Sequence, residues 1–242
     1  MKKLFSLILA LTMLVASAAF AESYTIGTNP EFPPFEYVDD NGEIAGIDVE
    51  IVEAIFAKID PEAEIVFEAM DFDAIIPAMV SGRVDIGAAA FSVTEERKVS
   101  VDFSIPYFDA VQAIIVKADS DIETEEDLVG KKIGVQLGTT GDIYVTTYIE
   151  SEISRFNKGI DAVQDVIAGR LDAVVIDDAP AGVFVSQSEE LKLLDVKLNS
   201  GNEQYALAIA KGNEELLSQI DAALEELIAD GTISSIIASF QG

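Results

Sequence analysis

The sequence predicts an α/β protein of two similar lobes that the chain crosses more than once. Three observations carry that expectation. From residue 24 onward, short β-rich runs alternate with helical patterns, as in a sheet covered by helices. The stretch "MVSGRVDIGAAA" (79–90) is echoed by "VIAGRLDAVVID" (166–177): a helix end, a Gly-Arg pair, an aliphatic residue, an aspartate and a buried strand. No low-complexity linker separates the two series, so crossing lobes fit better than beads on a string. Ordinary helix-to-strand turns also look like this echo, which alone does not establish a duplication.

The elements follow in order. Tyr24–Thr28 reads as a first strand, followed by the turn-rich "NPEFPPFEYVDDNGEIAG". "IDVEIVEAIFAKI" then spaces Ile47, Ile51, Ile55 and Ile59 four apart, the apolar stripe of a helix laid on a sheet. Residues 65–69 form the next strand, 72–80 the next helix and 85–91 a strand. In the second series, 113–117, 132–136 and 171–177 are strands, and the acidic "TEEDLVG" is a helix. Helices cover 142–150 and 160–168, and 205–210 is a late strand. "NEELLSQIDAALEELIADG" closes the pattern as a strong helix, with Gly231 placed to end it. Gly82 and Gly169 can take the left-handed conformation that closes a helix.

Composition narrows the chemistry. The chain has 242 residues, half of them hydrophobic, enough for one or two packed cores. It contains no cysteine and no histidine. Disulfides, thiolate metal sites and Ser-His-Asp or Cys-His catalysis are thereby excluded. The formal charge is −29, from 15 basic and 44 acidic residues, which repels nucleic acid and anionic lipid. Cations are scarce, so one beside a buried strand is conspicuous. Residues 1–21, "MKKLFSLILALTMLVASAAFA", have the basic start, short apolar run and small-residue end of a cleaved secretory signal peptide. A membrane anchor would need a longer apolar run. Without a cysteine for lipid attachment, the product is expected free outside the cytoplasm, with no later segment to hold it in a bilayer.

"AAAFSVTEERK" (88–98) runs from a buried-looking strand into Ser92, Thr94 and Arg97. Arg97 can pair with Glu95 or Glu96 on a solvated turn, as lone arginines commonly do. It can equally offer its planar fork to a carboxylate, with Ser92 as a second donor. The echoing strand ends in Asp177, fit either to cap a helix or to meet an ammonium. Ligands in open α/β sheets sit beyond the carboxyl ends of the strands. Facing strand ends would therefore place a cation and a carboxylate on opposite walls of one cleft, the charges of an α-amino acid. "QLGTTGD" (136–142) leads from strand to helix and adds N–H groups and Thr140; it lacks the lysine of a phosphate loop.

With these residues in hand, the chain resembles the extracytoplasmic solute-binding proteins of ABC importers, in the family that binds polar amino acids (family 3). The likeness runs from Tyr24 to Phe240 through "GTNPEFPPFEY", "GEIAGIDVEIVEAI", "MDFDAIIPAM", "VDIGAAAFSVTEERKVSVDFSIPY", "KKIGVQLGTTGD" and "GRLDAVVIDDAP". It implies a two-lobed periplasmic-binding-protein-like fold with two crossing hinge strands, near 108–113 and 204–206. Lobe 1 would combine 22–110 with 206–242, and lobe 2 would be 111–205. By position, the resemblance makes Arg97 and Ser92 a carboxylate clamp, with the Ala90 backbone N–H beside them and Thr140 completing it. Asp177 becomes the ammonium partner, Phe32 and Phe72 the aromatic walls, and Asn29 and Gln136 readers of the side chain. Phe35, Phe56 and Phe67 are expected in the core. A monomer that delivers its amino acid to a membrane permease is implied, with no cofactor, metal or nucleic-acid partner and no catalysis.

No further cation falls on a site position, which disfavours glutamate and aspartate. Asn29 stands where cation-binding relatives often carry an acid, so an uncharged polar ligand such as glutamine or cystine is expected. Two other classes compete. A dehydratase of prephenate-like acids on this fold would need Glu31 as its acid. A sensor domain would need an attached output segment, which nothing after the leader resembles.

Overall fold

A computed structural model of the chain describes residues 22–196 and 198–240; the predicted leader, residues 1–21, lies outside them. Two sheets organise the molecule. The first contains β5 (Glu64–Ala69), β1 (Ser23–Thr28), β6 (Ile86–Gly87), β14 (Ala208–Ala210) and β7 (Val101–Phe103), in that order. β5, β1 and β6 run parallel, and β14 is antiparallel to its neighbours. The second runs β10 (Glu152–Phe156), β9 (Lys132–Gln136), β11 (Ala173–Asp177), β8 (Phe108–Lys117), β12 (Leu191–Leu193), with β13 (Leu198–Tyr205) also on β8. Here β10, β9 and β11 are parallel, and β8 is antiparallel to β11.

Helices α1 (Ile47–Ile59), α2 (Phe72–Val80), the short α3 (Glu95–Lys98), α7 (Glu214–Ala229) and α8 (Thr232–Ser239) belong to the first series. Those of the second are α4 (Thr140–Tyr148), α5 (Gly159–Ile167) and α6 (Asp178–Ser186). The isoleucine stripe of α1 buries Ile47, Ile51 and Ile55 completely, while Ile59 is half-buried at the helix end. A small sheet of β2 (Glu31–Phe32), β3 (Glu36–Val38) and β4 (Ile44–Ala45) folds the turn-rich segment against α1, with β2 reaching α5.

The sequence echo has one physical cause in both places. Gly82 and Gly169 follow α2 and α5 at φ +74° and +70°. The N–H of each glycine returns to a helix carbonyl, Met79 or Val166, and the next arginine N–H reaches the carbonyl one residue further back, Ala78 or Asp165. Asp85 and Asp172 then do the same job: each carboxylate accepts the N–H of a neighbouring strand, Thr25 or Lys132, at 2.8 Å. The repeated residues build the turn that hands each helix back to its sheet.

β8 and β13 pair antiparallel, Ala110 opposite Glu203 and Tyr205 opposite Phe108, and they join the two sheets. These are the two crossing strands. Several boundaries differ from the sequence reading. The strand expected over 85–91 pairs only at Ile86–Gly87, because Ala90 takes φ +48° and breaks the ladder before a bridge from Ser92 to Tyr205. The strand expected over 205–210 is split between β13 and β14 as the chain passes from one sheet to the other. The acidic helix shrinks to one 3-10 turn, Glu126–Leu128, and β8 starts five residues before 113.

Candidate functional site

The carboxyl ends of β1, β6, β9 and β11 meet around one narrow cavity. All nine residues singled out in the sequence line it: Asn29, Phe32, Phe72, Ala90, Ser92, Arg97, Gln136, Thr140 and Asp177. Glu36, Ala89 and Thr139 complete the wall. The fold explains the convergence: apart from Arg97, which sits inside the short α3, the others end a strand, open a helix or lie in the segment just after a strand.

Arg97 sits in α3, whose first turn is capped by the Thr94 hydroxyl accepting the Arg97 N–H at 3.2 Å. Its guanidinium is buried and lies 5.2 and 5.3 Å from the ring centres of Phe72 and Phe91, within cation–π range. It donates to the Ser92 carbonyl at 2.8 Å and, across the cleft, to the Gly138 carbonyl at 3.1 Å. Among the described residues no carboxylate pairs with it within 4 Å, neither Glu95 nor Glu96. Glu95 pairs with Lys98 instead. Burial pulls the Arg97 guanidinium down to about 10, opposed by the fields of Asp177 and Glu203, and it stays cationic at neutral pH.

Asp177 closes β11, buried, with Gln112 Nε2 donating to one oxygen at 2.6 Å and the Tyr205 hydroxyl to the other. Burial and then the neighbouring Glu203 push its carboxyl up to about 7. As the residue before α6 it occupies the cap position without capping, so the competing reading of this aspartate fails. Glu36 is fully buried against the cavity and held well above the usual carboxylate range by burial, Asp48 and Asp177.

Amide side chains cross the cleft at the other end. Asn29 Nδ2 donates to the Met70 carbonyl at 2.8 Å, which turns its oxygen toward Gln136 Nε2 at 3.0 Å. Gln136 Nε2 also reaches the Asn157 carbonyl at 3.2 Å. Asn157 further bonds Asp71 at 3.0 Å, and Lys158 pairs with Glu31 at the rim. The two sides are thus drawn together, and Glu31 is a half-exposed ion-pair partner outside the cavity wall.

Two expectations about donors are corrected. The Ala90 N–H, expected free for a ligand, is spent on the buried Asp48 carboxylate at 2.9 Å, with the Tyr107 hydroxyl on the other oxygen at 2.7 Å. The hydroxyls of Ser92 and Thr140 donate to Glu203 at 3.0 and 2.6 Å. Sequence reading missed Glu203, Gln112 and Glu36 because nothing local distinguishes them from exposed polar residues on strands. Of the aromatics assigned to the core, Phe35 and Phe56 are buried there, and Phe67 packs partly buried against it.

Residues 24–242 match the sequence profile of the bacterial extracellular solute-binding proteins, family 3. The chain belongs to this family. A probable histidine-binding protein of Neisseria gonorrhoeae is 32% identical over 90% of this chain and 82% of its own. A putative ABC transporter arginine-binding protein of Escherichia coli is 32% identical, covering 91% of both chains. The solved structure of an ancestral arginine-binding protein bound to arginine superposes with a TM-score of 0.85 and 42% identity. That match covers 91% of this chain and 98% of the other. This family 3 protein therefore has the two-lobed α/β fold of periplasmic binding proteins. It is an amino-acid substrate-binding protein of the ABC-transporter kind, not an enzyme.

Proposed function

We propose that the protein captures an α-amino acid whose side chain donates hydrogen bonds, arginine first, and passes it to a membrane permease outside the cytoplasm. The lobes that close on it would be 22–110 with 206–242, and 111–205, after loss of residues 1–21. Arg97 would hold the α-carboxylate and Asp177 the α-ammonium, with Phe32 and Phe72 against the carbon chain. Asn29 and Gln136 would read the far end.

One observation carries the choice of side chain. Among the described residues the cavity wall holds two buried oxygens without a hydrogen-bond partner, Gln136 Oε1 and Glu36 Oε2. The amide of Gln136 cannot turn around, because both partners of its nitrogen are oxygens. Buried acceptors left unpaired are costly, so this wall selects a donor-rich ligand. A guanidinium has five donors and an imidazolium two; a carboxylate side chain has none. Glutamine is the second reading, favoured by the neutral Asn29–Gln136 pair, and its amide would satisfy Gln136 but leave Glu36 protonated.

A thermal-shift screen of the common amino acids tests this. A ligand that binds only the folded chain raises its melting temperature. Arginine should give the largest rise, with aspartate and glutamate giving none; a larger rise with glutamate would defeat the proposal. Gln136→Leu should weaken arginine binding by about 1–3 kcal/mol, the cost of an unpaired buried donor, as read by calorimetry.

A further inference from the structure

We infer that Glu203 is a positioning residue for capture, a carboxylate on a crossing strand that ties the two lobes through the clamp's own hydroxyls. Glu203 lies on β13, is 6% exposed and is not part of the cavity wall. Its Oε2 accepts from Ser92 Oγ at 3.0 Å, Thr140 Oγ1 at 2.6 Å and Gln112 Nε2 at 3.3 Å. Ser92 follows β6 of the first sheet, Thr140 opens α4 beside the second, and Gln112 lies on the other crossing strand. One oxygen thus gathers donors from both sides of the cleft and from the hinge. Its second oxygen, Oε1, is buried without a partner.

The consequence is geometric. A hydroxyl has one hydrogen, and both of these point at Glu203, so neither Ser92 nor Thr140 has a hydroxyl hydrogen left for a ligand; Thr140 Oγ1 also accepts from Gln112 Nε2 at 3.2 Å. The carboxylate of an amino acid is then read chiefly by Arg97. Gly141 is part of the same construction: a Cβ there would lie 2.6 Å from Gln112 Oε1 and 3.2 Å from the Val175 carbonyl oxygen, so a side chain would press on the Gln112 amide that also reaches Glu203. If the lobes part, Ser92 and Thr140 cannot both keep Glu203. Closure therefore draws on a charge-assisted contact within the chain, separate from anything the amino acid contributes.

The test needs no ligand, so its failure leaves the proposed capture untouched. The chain has no cysteine. Cysteines at the exposed Val80 and Tyr148, one on each lobe, can therefore carry spin labels whose distance distribution reports the open-to-closed ratio. Glu203→Gln should move that ratio toward open by about tenfold or more, the equivalent of one hydrogen bond to a charged group. Thr140→Val, which cuts the tie from its other end, should move it the same way. An unchanged distribution in a folded Glu203→Gln chain would overturn the inference. So would an unchanged Thr140→Val distribution if Glu203→Gln does not fold.

Discussion

Arg97→Ala is expected to weaken amino-acid binding by about 2–5 kcal/mol, the cost of removing one partner of a buried charge pair. That range is roughly thirtyfold to several thousandfold in Kd, within reach of calorimetry. The fold should survive. Arg97 has no carboxylate partner within 4 Å among the described residues, and its burial already works against its charge, so its loss relieves desolvation while opening space beside Phe72 and Phe91. Arg97→Lys should rescue little, because a single ammonium cannot serve the Ser92 and Gly138 carbonyls and a carboxylate with one planar fork. Unchanged affinity in Arg97→Ala would remove the carboxylate receptor from the account.

The second large effect is an opposition between stability and binding as pH changes. The carboxyl of Asp177 is pushed up to about 7 and that of Asp48 to about 6, in each case first by burial. Both acids bind their proton more tightly folded than unfolded, where the value lies near 4. Their contribution to stability is therefore full below the unfolded value and is lost as pH rises through about 6 and then 7. The melting temperature of the protein alone should fall between about pH 5 and pH 8. Binding should run the other way, since an α-ammonium needs the ionised Asp177. Affinity should fall by about tenfold for each pH unit below about 7 while one proton is exchanged. Asp177→Asn should remove the share of that dependence carried by Asp177, leaving any from Glu36, together with most of the affinity. A wild-type affinity that stays flat from about pH 5 to pH 8 would contradict the role given to Asp177.

The parts of the fold most legible in the sequence were those where local chemistry and burial agree. The stripe of α1, the span of α2 and the strand Lys132–Gln136 follow from periodicity bounded by turn residues. The Gly-Arg-x-Asp echo was visible because one turn geometry demands those residue types twice. The strand at 85–91 misled because its alanines look like core, yet Ala90 bends into positive φ to pass the cleft. β12, the first part of β13 and the small sheet were missed since their residues alternate weakly and pair only through tertiary context, whereas the end of β13 was expected as a crossing near 204–206.

The same division holds at the site. Arg97, Ser92 and Asp177 stood out as scarce or polar groups ending apolar strands. Glu36, Gln112 and Glu203 did not, because a buried acid on a strand looks in sequence like an exposed one. Their importance comes from partners distant in the chain, such as Asp177, 65 residues from Gln112, and Ser92, 111 residues from Glu203. Donor direction was equally hidden. The residue types suggested hydroxyls and an N–H free for a carboxylate, and only the placement of Asp48 and Glu203 shows those hydrogens already engaged.

The most direct test is a calorimetric comparison of three molecules. They are the amino acid giving the largest thermal shift, its decarboxylated amine, and its deaminated acid. A cavity that holds a zwitterion between Arg97 and Asp177 should lose roughly a hundredfold or more in affinity for each analogue, as buried polar groups are left unpaired. An amine or an acid that binds as tightly as the parent amino acid would show that the two charges do not share one ligand.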